Sequence, residues 1–148
     1  MKIYTRRGDT GTTGLYRGAS IEKHAPRIAA IGDVDELNSL LGCVLALNPC
    51  TELRAVLPTL QDDLFHFGAE LASLDPRAAG TAALQDQDVA RLEGLIDLTE
   101  GSLEPLRSFI LPGGSSSGAM LHLARAVARR AERSLVLLDR TVLGKGTE

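Results

Sequence analysis

The stretch PRIAAIGDVDELNSLLGCVLALNP, Pro26 to Pro49, decides the fold class. Ile28, Ile31, Leu37, Leu41, Val44 and Leu45 recur there at a period near 3.6 and make one apolar stripe, with Asn48-Pro49 as the stop. That pattern predicts a helix with one face turned to a core. The next run repeats it. Leu53, Val56, Leu57, Leu60, Leu64, Phe67 and Leu71 predict a second helix, with Thr51 as its cap, Pro58 as a kink or restart, and Asp75-Pro76 as its end.

Further along, DPRAAGTAALQDQD has no period and reads as a flexible surface loop. A third helix is expected from about Asp88 to Glu100, turning Val89, Leu92, Leu95 and Ile96 inward, with Gly101 as a left-handed stop. LPGGSSSG then interrupts the pattern. A fourth helix follows from about Ser116 to Leu138, with Leu121, Leu123, Val127, Leu135 and Leu138 as core positions. Aromatic residues are only 3% and β-branched alternation is nearly absent, so the expected class is all-α. The expected architecture is an up-down bundle of four helices with a non-helical amino-terminal arm. No internal repeat is evident, and the expected organisation is a single domain, 1–148: an arm at 1–24, a bundle at 25–138 and a short tail at 139–148.

Bulk properties bound the function. A chain of 148 residues, 44% hydrophobic, fits one soluble globular domain with a real core. The net charge of −3 gives no general field for nucleic acid or an anionic membrane, so any anion binding must be local. No uninterrupted apolar window of about 18 residues exists, so no membrane span is expected. With no leader-like apolar run and only Cys43 and Cys50, a reducing, cytoplasmic setting is expected, with both thiols acting as small buried hydrophobes. His24, His66 and His122 are scattered, without acids or cysteines at ligand spacing. They are read as solvent-facing or packing residues, His66 as partly buried, and no metal-ligand set is assigned.

The fourth helix carries charge that folding does not require. In LARAVARRAERS, Arg125, Arg129 and Arg133 recur every four residues, where like charges about 6 Å apart destabilise a helix. Arg130 adds a fourth cation, and Glu132 is the only acid between Gly118 and Leu138. Either the stripe is a solvated basic face, or it neutralises a polyanion such as a triphosphate, which guanidinium forks bind bidentately.

The arm bears on that choice. TRRGDTGTTG, Thr5 to Gly14, makes a poor helix and a poor strand, yet its glycines let backbone N–H groups approach an oxyanion, and its threonines and Arg6 and Arg7 add donors and charge. It matches neither the P-loop nor the dinucleotide pattern, and alone it also fits a disordered tail. A third feature is acidic: GDVDELNS sets Asp33 and Glu36 one turn apart with Asp35 on an adjacent face. These acids either face water or pair with an arginine of the fourth helix, in the same chain or in a neighbour, fixing that arginine for a ligand.

Together, YTRRGDTGTTGL, Lys23, PRIAAIGDVDELNSLLG, FILPGG and LHLARAVARRAER make the chain resemble the PduO-type ATP:cob(I)alamin adenosyltransferases, from Met1 to about Val136 and in order. The resemblance implies transfer of the 5′-deoxyadenosyl group of ATP to cob(I)alamin, giving adenosylcobalamin and triphosphate, with Mg²⁺ helping to hold the phosphates. It also implies a homotrimer with active sites between subunits and a cobalamin reductase as electron source. Thr5, Arg6, Arg7, Gly8, Thr13 and Gly14 match the nucleotide loop, and Lys23 matches a phosphate-binding lysine. Arg129, Arg130, Glu132 and Arg133 match the segment that holds triphosphate and nucleoside. Arg125 matches an arginine that pairs with the aspartate at Asp35 across subunits, and Phe109 matches the aromatic residue that displaces the corrinoid's axial base.

One departure stands out. The family continues into a last helix with an Asn-Arg-Leu-Ser-Asp-like motif, whereas this chain reads LLDRTVLGKGTE. Four helices are therefore expected in place of the family's five, with one nucleotide contact missing. Lesser departures are His24, where the family often has an acid, and Ile31, where it often has Tyr. A non-catalytic trimeric carrier of ATP and cobalamin is the competing expectation, and a helical interaction module with a disordered arm is the third.

Overall fold

The computed structural model of the chain describes residues 4, 6, 8–81 and 84–142, with the side chain of residue 142 outside the description. Among these residues the architecture is a helical bundle preceded by a small ribbon. Its elements are β1 (Thr12–Gly14), β2 (Ser20–Glu22), α1 (Pro26–Ala46), α2 (Thr51–Leu71), α3 (Pro76–Ala79), α4 (Asp86–Glu100) and α5 (Ser116–Val142).

The helix ends follow local chemistry. Pro26 opens α1, where a missing N–H costs nothing, and Asn48 closes it in the left-handed region at φ 51°, donating its N–H to Leu45 O at 3.0 Å. Thr51 is the first residue of α2 and not its cap; Cys50 holds that position without a side-chain bond. The helix continues through Pro58, which stands on its exposed face, so the proline does not restart it. Ser115 Oγ accepts from the Gly118 N–H at 3.1 Å at the start of α5, and that helix extends four residues past Leu138.

α1 is the central element. Its partners on α2 descend in number as its own ascend, from Arg27 with Leu71 to Asn38 with Gln61, so the two helices run antiparallel. The same holds for α5, where Asp33 meets Ser134 and Glu36 meets Arg130. One core cluster gathers Ala30, Val34, Leu71, Ala131 and Leu138, and a second gathers Leu41, Val44, Leu57 and Ala124. Between α1 and α2, Asn38 Nδ2 donates to Gln61 O at 3.2 Å and Gln61 Nε2 returns a bond to Asn38 O at 3.0 Å. Gly42 makes room for this exchange, since a Cβ there would stand 3.2 Å from Gln61 Nε2.

Several expectations need correction. The segment read as a loop contains α3, a single turn whose Asp75 Oδ1 accepts from Ala78 N at 3.1 Å and which Gly80 closes at φ 71°. Five helices are therefore described in place of four, although α3 adds nothing to the bundle's length. The arm is not wholly irregular, because β1 and β2 pair antiparallel with Thr13 opposite Ile21. α4 starts at a capping box between Gln85 and Asp88, and Gly101 ends it in the right-handed region at φ −58° instead of the left-handed one. Val89 and Ile96 on α4 are 58% and 61% exposed, so these expected core residues do not enter the core, nor does Leu123 on α5. α4 is tied to α2 chiefly by Arg91, whose Nη2 lies 2.6 Å from Asp63 Oδ2. An apolar groove of about 720 Å³, lined by Leu92, Ile96, Leu57 and Leu121 among others, separates it from the other helices. Cys43 and Cys50 are both free and exposed, not buried, and His66 is exposed as well.

Candidate functional site

The arm brings some of its candidate ligands together. Lys23 N donates to Gly11 O at 2.8 Å and Gly11 N to Gly8 O at 3.2 Å, curling the loop back on the end of β2. Gly11 takes φ 91°, a conformation that favours glycine. A Cβ on Gly8 would stand 3.0 Å from Lys23 Nζ and 3.2 Å from Thr12 O, so the bare backbone lets the lysine tip lie close here. Gly8 and Lys23 are thus neighbours, with Thr13 and Gly14 in β1. Arg6 stands at φ 58° with its guanidinium 5.6 Å from the Tyr4 ring centroid. Thr5 and Arg7 lie outside the described residues.

On α5 the cations divide between two faces. Arg129 and Arg133 point outward: Arg133 Nη1 donates to Arg129 O at 2.9 Å, and Arg129 Nη1 lies 3.9 Å from Glu132 Oε2 on the same helix. Arg130 instead turns toward α1. Its Nε donates to Asp33 Oδ1 at 2.8 Å and its Nη2 donates to Glu36 Oε2. Ser134, one turn on, donates Oγ to Asp33 Oδ2 at 2.5 Å. The Ser134 bond holds the Asp33 carboxyl below its usual range; burial opposes it and Arg130 adds to it. Asp33 in turn raises the Arg130 guanidinium above its usual value. An acid of the first helix does pair with an arginine of the last one within the chain, and the acids are Asp33 and Glu36.

Asp35 faces elsewhere. It lines a cleft of about 310 Å³ between α1 and α2 with Asn38 and Phe65, and the Asn38 Oδ1 is buried without a hydrogen-bond partner among the described residues. Arg125 lines a different cavity of about 590 Å³ together with Phe109, Arg107, Ile110 and His122. Phe109 and Arg125 are thus brought together, while Asp35 and Arg125 open on separate clefts. Phe109 is fully exposed, an apolar ring held on a loop with nothing covering it. The sequence reading took His122 as a solvent-facing or packing residue, whereas it lines this cavity; its place one turn before Arg125 on α5 was the available signal.

Arg129 and Arg133 thus form an outward cationic face on α5, and the cavity that Phe109 and Arg125 line is open with an aromatic edge. Among the described residues no three His, Cys, Asp or Glu side chains converge as a metal-binding group. No described helix is long and apolar enough to cross a membrane.

Comparison with known proteins gives this geometry a context. Residues 3–145 match the family described as Cobalamin adenosyltransferase. The chain is 48% identical over 142 residues to Corrinoid adenosyltransferase PduO of Citrobacter freundii, covering 94% of this chain but 42% of that protein. It is 43% identical over 145 residues to a second Citrobacter freundii protein, Corrinoid adenosyltransferase, covering 95% of this chain and 81% of the relative. The chain therefore spans about two-fifths of the longer PduO relatives and most of the shorter one. Among solved structures, a phenylalanine-to-alanine variant of a PduO-type ATP:corrinoid adenosyltransferase from Lactobacillus reuteri, complexed with cobalamin and ATP, superposes with a TM-score of 0.84. That match is at 36% identity and covers 94% of this chain and 78% of that one. A family match across nearly the whole chain, joined to a close structural match in the same helical bundle, establishes that this chain belongs to the cobalamin adenosyltransferase family.

Proposed function

We propose that the chain transfers the 5′-deoxyadenosyl group of ATP to cob(I)alamin and releases triphosphate. The observation that carries this reading is the meeting of Phe109 and Arg125 across one open cavity, on the helix that also presents Arg129 and Arg133.

In the proposed reaction the cobalt(I) electron pair forms a bond to C5′ of ATP. The C5′–O bond breaks, and its electron pair leaves on the triphosphate. Cobalt(I) is already a strong nucleophile, so no general base is needed. The protein's contribution is alignment of C5′ with cobalt and neutralisation of charge that grows on the leaving oxygen. Arg129, Arg133 and Lys23 supply that charge, and the Gly8 to Gly14 loop supplies backbone donors, with Thr5, Arg6 and Arg7 completing the arm. Glu132 orients Arg129 from one turn away. Arg130, paired with Asp33 and Glu36, fixes the face from which Arg129 and Arg133 project.

Phe109 acts as an apolar wedge against the corrin. It displaces the axial base without offering a new donor, which makes reduction of cobalt(II) to cobalt(I) easier. Mg²⁺ would be carried mainly on ATP phosphate oxygens, with few protein ligands. A homotrimer in which Asp35 of one subunit meets Arg125 of another accounts for the two lying on separate clefts of a single chain. The free, exposed thiols suit a reducing cytoplasm, where a cobalamin reductase supplies the electron.

The test is product identification. Purified protein with ATP, Mg²⁺ and chemically generated cob(I)alamin is expected to yield adenosylcobalamin and triphosphate in equal amounts by chromatography. ATP binding without either product would overturn the catalytic reading and favour a carrier.

A further inference from the structure

Among the described residues the arm is hydrogen-bonded to the bundle at the carboxyl end of α2. Tyr16 N donates to Ala72 O at 2.9 Å. Arg27, in the first turn of α1, donates Nη1 to Leu71 O at 2.8 Å and to Ser73 O at 3.3 Å. The last carbonyls of a helix have no intrahelical partner and carry the negative end of its dipole, so a guanidinium fork suits that position. Both ends of the segment 16–27 are thereby fastened to residues 71–73. The segment contains β2 and Lys23, and Lys23 N in turn holds Gly11 O at 2.8 Å.

The platform itself is firm. Ser73 is only 1% exposed, and its Oγ donates to Ala69 O at 3.0 Å and accepts from Thr81 Oγ1 at 2.8 Å. A buried hydroxyl with both capacities used resists local opening. Among the described residues the side-chain hydrogen bonds of Arg27 go to backbone carbonyls at the end of α2 and not to the arm's candidate phosphate ligands.

We infer that Arg27 is a positioning residue for nucleotide binding: by clamping the carboxyl end of α2 it sets where Lys23 and the Gly8 to Gly14 loop stand over the phosphates. This rests on the arm's proposed role as the nucleotide loop. Loss of the clamp leaves the arm's residues intact but lets them sample more arrangements, so ATP must order them on binding. The effect falls on ATP and spares the corrinoid.

The test uses full-length Arg27→Met and Arg27→Lys, with ATP dissociation constants from calorimetry and far-UV dichroism as the check on folding. The only two tyrosines, Tyr4 and Tyr16, lie in the arm and there is no tryptophan, so tyrosine anisotropy reports arm order alone. Arg27→Met is expected to weaken ATP about five- to tenfold, the scale of one charge-assisted hydrogen-bond group. It should also lower tyrosine anisotropy while leaving the corrinoid KM within about twofold. Arg27→Lys, which keeps one cationic donor, should recover part of the loss. If Arg27→Met loses helix content, Arg27→Lys alone decides, and an intermediate ATP constant at full helix content supports the clamp.

Unchanged ATP affinity in folded variants, or equal losses for ATP and corrinoid, would overturn the inference. If the unsubstituted chain binds ATP but forms no adenosylcobalamin, the catalytic proposal falls while the ratio of ATP constants still decides this one. If it binds no ATP, the inference falls with the arm's role.

Discussion

Arg130 on α5 and Asp33 on α1 share a hydrogen bond of 2.8 Å between Nε and Oδ1, and Ser134 holds the other carboxylate oxygen at 2.5 Å. Their positions differ by 97 in the sequence, so the pair fixes how α1 and α5 are rotated relative to each other. Arg130 is thereby withdrawn from the basic stripe, and the remaining cations are left facing outward.

The clasp predicts a pH dependence. Asp33 has a lowered carboxyl value in the fold, so its contribution is present above the unfolded value near 4 and is lost as pH falls through the lower folded one. Asp33→Ala should cost about 1–2 kcal/mol at pH 7, lowering the melting temperature by roughly 2–8 °C. Melts at pH 7 and at successively lower pH below about 4 check this: the gap between the two proteins should be full at pH 7 and narrow progressively as the pH falls.

Arg129 tests charge neutralisation. Arg129→Ala should lower turnover at least about tenfold, roughly 1.4 kcal/mol of barrier. Steady-state kinetics with saturating ATP and cob(I)alamin measure it, and an unchanged turnover number rules the role out.

Phe109 separates reduction from transfer. The ring is fully exposed, so Phe109→Ala should leave the melting temperature unchanged. Activity started from cob(II)alamin with a reducing system should fall by more than about tenfold, and activity started from preformed cob(I)alamin should fall much less. Equal losses from both starting points would contradict the wedge role.

Gly8 tests the arm from the backbone side. A methyl group there would meet Lys23 Nζ at 3.0 Å and Thr12 O at 3.2 Å, so Gly8→Ala crowds the loop and pushes the lysine tip aside by a few tenths of an ångström. ATP affinity should weaken by about three- to tenfold with helix content unchanged, as calorimetry and dichroism would record.

What was legible in the sequence follows from what periodicity encodes. Leu41, Val44 and Leu57 were readable as core because a sustained 3.6-residue period marks one helix face. The same pattern in α4 misled, because a period identifies an apolar face without saying that the chain itself covers it; Val89 and Ile96 face the open groove or solvent. The three-residue strands β1 and β2 are too short to display alternation, and α3 is one turn long. An acid-arginine pair between the first and last helices was foreseeable as a class. Choosing Asp33 for Arg130 required the relative rotation of two helices, which neither sequence contains alone. The clamp of Arg27 on Leu71 and Ser73 left no sequence signal, since its acceptors are backbone carbonyls.

The most direct test of the account is anaerobic spectroscopy of cob(I)alamin mixed with ATP, Mg²⁺ and the protein. The account predicts that the cob(I)alamin absorbance decays faster than in the protein-free control, with one triphosphate released for each cob(I)alamin consumed. Decay no faster than the control, or release of pyrophosphate or orthophosphate in place of triphosphate, would contradict it.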